Sequence, residues 1–152
     1  MSEWTTTAKA NSTPCQVLEV LTHPAKIRGW SPVDFDLDEL DGRRLAAGSR
    51  ARVTGRVAGV RVGFDLEVHH ADERRLELSA DGPIGFDVRY DLRGDGDGAE
   101  FDAWVSLRPS RGLTGKIVAN AASALLSAGA LEGAALRIAQ AAESQRPLVA
   151  AA

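Results

Sequence analysis

LTGKIVANAASALLSAGALEGAALRIAQAAE, residues 113–143, is the stretch on which the fold turns. At about 100° per residue, Leu113, Ile117, Ala121, Ala124, Ala128, Leu131, Ala135, Ile138 and Ala142 share one ridge of a helix, with Val118, Leu125 and Leu136 beside it. The spacing predicts one long C-terminal helix whose apolar face is thin in the middle, because alanines alone stand on the main ridge between Ile117 and Leu131 and Gly129 adds no side chain. Packed interiors rarely tolerate such a gap. Either large residues from a facing sheet reach in to fill it, or the space is kept for a ligand.

Working outward, the preceding segment from Asp34 to Arg108 changes from helical periodicity to strict alternation, with Gly, Asp and Pro clusters at hairpin intervals. It reads as a meander of about six strands. Phe35 and Leu37 open it, and Leu40-Asp41-Gly42-Arg43 makes the first turn. Ala51, Val53, Gly55 and Val57 then face inward against Arg50, Arg52, Thr54 and Arg56. Ala58-Gly59 turns into Val60, Val62, Phe64, Leu66 and Val68. Leu76, Leu78 and Ala80 follow, then Asp81-Gly82-Pro83 and the run Phe86, Val88, Tyr90 and Leu92. Phe101, Ala103, Val105 and Leu107 close the sheet, and Pro109 and Gly112 bracket the loop into the long helix.

Before the meander, Glu3 to Ala10 alternates Trp4, Thr6 and Ala8 against Glu3, Thr5, Thr7 and Lys9, the pattern of an edge strand. Thr13 then caps a helix with Pro14 at its first position and an apolar face of Val17, Leu18 and Leu21. A second short helix runs from about Pro24 to Gly29, and Trp30-Ser31-Pro32 ends the helical part. A long sheet that is apolar on one face must curl around something, and the C-terminal helix is the element long enough to cover it. The expected class is therefore α+β, a helix grip: strand, two short helices, six-stranded antiparallel meander, long C-terminal helix packed in the concave sheet.

This order resembles the START-domain and polyketide-cyclase (SRPBCC) superfamily, which shares the birch-pollen-allergen fold. Locally the resemblance lies in Thr13-Pro14, Val17, Leu21, Pro24 and Trp30-Ser31-Pro32. Family members often have Ala-Pro, a Val three positions on, Asp-Pro at the helix junction and Trp-x-Pro where the sheet begins. His23 stands where Asp is common and Leu18 where an aromatic is common. The resemblance implies a hydrophobic cavity between sheet and helix, used across the family for lipid and sterol carriage, hormone and polyketide binding, or aromatic ring closure.

A chain of 152 residues, 44% of them hydrophobic, suits one domain spanning residues 1–152. Eighteen basic against twenty-one acidic residues give a formal charge of −3 without a basic stripe, so nucleic acid is not an expected partner. The lone Cys15 reads as a small packed apolar residue and, without a second cysteine, fits a reducing cytoplasm. The first residues lack the basic start and apolar run of a signal peptide. The most apolar window, Ile117 to Leu131, falls short of the ~20 residues of a membrane span.

The expected ligand-binding set is Trp30, Phe35, Val53, Phe64, Leu66, Val68, Leu78, Phe86, Val88, Tyr90 and Val105, with Ala121, Ala124, Leu125, Ala128 and Glu132 from the long helix. Glu132 falls within the apolar arc, where burial would raise its pKa and make it a general acid or base; the bland alternative is a carboxylate at the rim. Tyr90 faces inward and either hydrogen-bonds a ligand carbonyl or is satisfied in the core. His69 and His70, neighbours on a strand, point to opposite faces unless a bulge intervenes, with His70 inward, and both read as structural; His23 reads as a surface residue. Asp95-Gly96-Asp97-Gly98 is a turn lacking the other ligands of a calcium loop. No metal site, nucleophile motif or phosphate loop is present, and no cofactor is expected. Trp104 lies on the outward face with Asp102 and Ser106, a position that would serve a homodimer or another protein contact. Together these readings favour binding of a small, largely apolar molecule, a lipid, isoprenoid or aromatic polyketide. The enzymatic alternative is a cyclase or dehydratase using Glu132 with Tyr90.

Overall fold

The computed structural model of the chain describes residues 2–31, 35–40, 43–57, 59–96, 98–108 and 112–144. The expected Asp41-Gly42 turn, Pro32, Ala58, Asp97 and Pro109 lie outside the described residues.

Strand β1 (Ser2–Ala10) leads into helices α1 (Pro14–Thr22) and α2 (Pro24–Trp30). Strands β2 (Phe35–Leu40), β3 (Arg50–Val57), β4 (Val60–Ala71), β5 (Arg75–Asp81), β6 (Gly85–Asp95) and β7 (Gly98–Leu107) follow, then helices α3 (Gly112–Ser127) and α4 (Ala130–Ser144). The seven strands form an antiparallel sheet in the order β1-β7-β6-β5-β4-β3-β2. The N-terminal strand thus lies at an edge, paired with the last one from Ser2↔Leu107 to Ala10↔Ala99. This is the helix-grip fold.

The local chemistry is direct. Thr13 accepts a hydrogen bond from the Gln16 N–H, and Gln16 Oε1 accepts one from the Thr13 N–H, so two backbone donors at the start of α1 are satisfied reciprocally. Trp4, Thr6 and Ala8 sit on the covered side of β1 while Glu3, Thr5, Thr7 and Lys9 are exposed. The meander follows its alternation, with Val62, Phe64 and Val68 on β4, Leu76, Leu78 and Ala80 on β5 and Phe101, Ala103 and Leu107 on β7 all buried. α4 packs against β1, α1 and α2 and buries Leu131, Ala134, Ala135, Ile138, Ala139 and Ala142.

The expected continuous C-terminal helix is two helices, bent by 62° at Ala128-Gly129. Gly129 has φ +99°, a conformation that an L side chain resists. The last turn of α3 tightens there: Gly129 N–H donates to Leu126 O at 3.2 Å, and the helix restarts with Gly133 N–H to Gly129 O at 2.9 Å. Glu132 stands in the first turn of α4, where a carboxylate complements the helix dipole.

The break resets the helical phase. Downstream, Leu131, Ala135, Ile138 and Ala142 are buried as the ridge requires, but upstream Leu113, Ile117, Ala124 and Ala128 are exposed, and Gly115 and Val118 are buried instead. Leu113 is 77% exposed and Leu136 59%. Among the described residues no single helix is long and apolar enough to cross a membrane; α3 and α4 reach that length only as a bent pair.

Two smaller expectations are also corrected. Cys15 is exposed rather than packed, because the inner face of α1 is taken by Val17, Val20 and Leu21. His70 is not inward: the β4–β5 register shifts between Val68 and His70, and this bulge leaves both histidines exposed. His69 Nε2 contacts Ser79 Oγ at 2.8 Å and His70 Nε2 contacts Asp72 Oδ2 at 2.7 Å. Trp104 does face outward, but it has a partner within the chain: the Arg89 guanidinium lies 5.0 Å from the ring centroid.

Candidate functional site

The buried side chains form two clusters. One joins α1, α4 and the sheet around Val17, Leu21, Leu76, Tyr90, Phe101 and Ile138; the other joins α3 to the sheet around Val62, Phe64, Ala80, Ile84, Leu107 and Val118. Between them, under the bend of α3 and α4, lies a cavity of about 330 Å³. Its floor is the concave face of the sheet, and Val118, Ala122, Leu125 and Leu126 of α3 with Ala130, Leu131 and Ala134 of α4 roof it. Leu21, Ile27 and Trp30 form one end wall.

Trp30 is fixed by its neighbours. Its indole Nε1–H donates to Val20 O at 3.0 Å, and Arg137 Nε–H donates to Trp30 O at 3.1 Å, so one residue ties α2 to α1 and α4. Its ring meets Tyr90 edge to face, with centroids 6.5 Å apart, and Tyr90 in turn lies 6.4 Å from Phe101. Phe64 and Phe86 make a second edge-to-face pair at 5.3 Å along the floor.

The Tyr90 residue is 4% exposed and borders the cavity. Burial lifts its phenol above the ordinary range, so the hydroxyl remains a protonated donor at neutral pH. It makes no hydrogen bond among the described residues. In a wall this apolar, an unengaged hydroxyl is the group that can orient a bound molecule.

Of the expected lining set, Trp30, Phe35, Val53, Phe64, Leu66, Leu78, Phe86, Val88, Tyr90, Val105 and Leu125 are brought together around the cavity. Val68 is not; it is 1% exposed inside the first cluster. Ala121 is half-buried away from the cavity, and Ala124 and Ala128 point to solvent, because the phase drawn through Gly129 does not hold across the break. Glu132 is exposed on α4 and its carboxylate lies near Gly129, outside the cavity. The cyclase mechanism built on it therefore lacks its acid: Tyr90 and Arg56 are the ionisable residues among the described lining.

Several lining residues went unread. Val62, Leu76 and Leu107 continue the same inward alternation and were legible on that ground. Ile84 follows the Gly82-Pro83 turn, and Leu45 enters from the 43–49 segment through its N–H bond to Thr22 O at 2.9 Å; neither has a periodic signal. Ala122 and Leu126 were hidden by the helical phase. The signal that could have found them is Gly129 with Glu132 three residues on, a helix-start pattern inside an otherwise continuous run.

No protein-family model matches the sequence, and no curated protein matches it. Solved structures do share the fold. A protein from Chromobacterium violaceum superposes with a TM-score of 0.70 at 11% identity, covering 94% of this chain and 99% of that one. DynU16, a protein in the dynemicin biosynthetic locus, gives 0.63 at 20% identity; 97% of this chain is covered but only 49% of DynU16, so this chain spans about half its length. The allergen Ara h 8.0201 gives 0.58 at 11% identity, with 91% and 98% covered. At these identities the likeness is one of fold, the helix grip of the birch-pollen-allergen type.

Proposed function

We propose that the chain is a single ligand-binding domain that takes a small, largely apolar molecule, of lipid, isoprenoid or aromatic polyketide type, into the cavity between sheet and helices. The observation that carries this is the cavity itself: about 330 Å³ of space walled by aliphatic and aromatic side chains at the centre of the fold. Natural ligand pockets run from roughly 300 to 1,000 Å³, so the space suits a compact molecule rather than a long two-chain lipid. DynU16, which shares the fold, belongs to a biosynthetic locus, and that favours a small-molecule ligand. The lone, exposed Cys15 fits residence in the cytoplasm.

Apolar burial supplies the affinity and the Tyr90 hydroxyl the orientation, by donating to a carbonyl or hydroxyl of the ligand. Native mass spectrometry after organic extraction, together with titration of an environment-sensitive apolar dye, tests the reading. Saturable binding of one dye per chain is expected, displaced by added apolar compounds; dye that never saturates, with no compound displacing it, refutes it. Tyr90→Phe is expected to leave stability unchanged or slightly higher, because the hydroxyl has no hydrogen-bond partner among the described residues, and to weaken carbonyl-bearing ligands by about 3- to 10-fold. Ligands without a polar atom should not distinguish the two proteins.

A further inference from the structure

The two helices that roof the cavity are held very unequally. α4 is fixed by six buried side chains and by polar contacts besides: Arg137 Nε–H donates to Trp30 O at 3.1 Å, and the Asn11 N–H donates to Glu143 Oε1 at 3.0 Å. The buried residues of α3 are Gly115, which has no side chain, and Val118. Ala119, Ala122 and Leu126 rest on the same cluster as Val118 but are only partly buried. Among the described residues no side chain of α3 makes a hydrogen bond or ion pair, and its polar residues Thr114, Lys116, Asn120 and Ser127 are exposed.

Both ends of α3 stand on glycines in the left-handed region, Gly112 at φ +69° and Gly129 at φ +99°. Without a Cβ, glycine crosses backbone conformations that other residues resist, so each is a natural pivot. Between them the 16 residues of α3 make a rod of about 24 Å. A segment with few buried side chains and a water-exposed backbone opens more easily than the whole molecule unfolds. Val118, Ala122, Leu125 and Leu126 of this rod border the cavity, so a molecule inside touches the face that holds α3 down.

We infer that α3 is the lid of the cavity: it swings about Gly112 and Gly129 to let an apolar molecule pass beneath it, and the bound molecule then holds it shut, while α4 and the sheet stay in place. This deepens the binding reading above and rests on it. A bound molecule meets Val118, Ala122, Leu125 and Leu126 only when α3 is down, and that difference in contact is what shifts the population toward closure.

Amide hydrogen exchange of the full chain, alone and with the uncharged dye N-phenyl-1-naphthylamine, tests this. In the free chain the hydrogen-bonded amides of 117–127 are expected to exchange about 100-fold or more faster than those of 135–142. Dye at ten times its Kd should slow the first set by about tenfold, because it binds the closed form. Ile138→Val, a mild change in the α4 core, should speed exchange at 135–142 by about 3- to 10-fold and leave 117–127 unchanged, since α4 stays packed while the lid is open. Val118→Ala should raise the association rate of the dye by about threefold or more, because a larger fraction of the chain is open. Equal exchange in the two helices overturns the inference, as do both helices speeding up together in Ile138→Val, dye that binds without slowing α3, or a Val118→Ala association rate that does not rise; in each case the cavity reading stands. If the dye does not bind at all, the cavity reading falls and takes the lid with it.

Discussion

Ala134→Leu is expected to weaken binding of an apolar probe by about tenfold or more and to leave the melting temperature level or raised, whereas Ala135→Leu, one residue on, does the reverse. Both alanines are buried on α4, at 3% and 2% exposure. Ala134 borders the cavity and Ala135 does not; Ala135 is packed inside the cluster with Ile138 and Phe101. Added carbons at Ala134 therefore enter empty space and displace ligand, each lost methylene contact removing about 0.8 kcal/mol of binding. The same carbons at Ala135 force apart side chains already in contact, a change that costs about 1 to 3 kcal/mol. A thermal melt and a dye titration on the two variants check it. Equal loss of stability in both would mean that the space under α4 is closed.

The second large effect concerns which side of the C-terminal region holds the fold. Ile138→Ala and Leu131→Ala are each expected to cost about 2 to 5 kcal/mol, because both side chains are buried where α4 meets the sheet and the short helices. Leu113→Ala, at a position on the same extrapolated ridge, should change stability by no more than about 0.5 kcal/mol, since that side chain is 77% exposed. Urea denaturation with a constant slope reads all three. A cost at Leu113 comparable to that at Ile138 would restore the straight helix and refute the break.

That contrast also marks where the sequence was legible. Strand alternation needs only a pattern of two, and it located Val53, Phe64, Leu78, Val88 and Tyr90 on the concave face without knowledge of their partners. Thr13 and Pro14 carry their own chemistry as a helix start, and the structure places the cap where they stand. Helical phase is different. It accumulates over many residues, and one positive φ at Gly129 discards it, so the upstream half of the ridge was assigned to the wrong side. The expected space under the alanines therefore exists for another reason. It lies beneath Ala122 and Leu126 of α3 and Ala130 and Leu131 of α4, where the two helices meet at an angle. His70 was lost to the register shift after Val68, which alternation cannot register because a bulge changes the parity of every later residue.

On the proposed reading, the space between sheet and helices takes apolar molecules at that place and no other. Methyl carbon–proton correlation spectra of the full chain, recorded as benzene is added, test it most directly, because an apolar cavity of this kind admits such a probe without polar partners. Saturating shifts are expected at the methyl groups of Leu66, Leu78, Val88, Val105, Leu126 and Leu131, which border the cavity, with unmoved signals from the exposed Leu113 and Leu136. Shifts confined to Leu113 and Leu136, or none at the six lining residues, would contradict it.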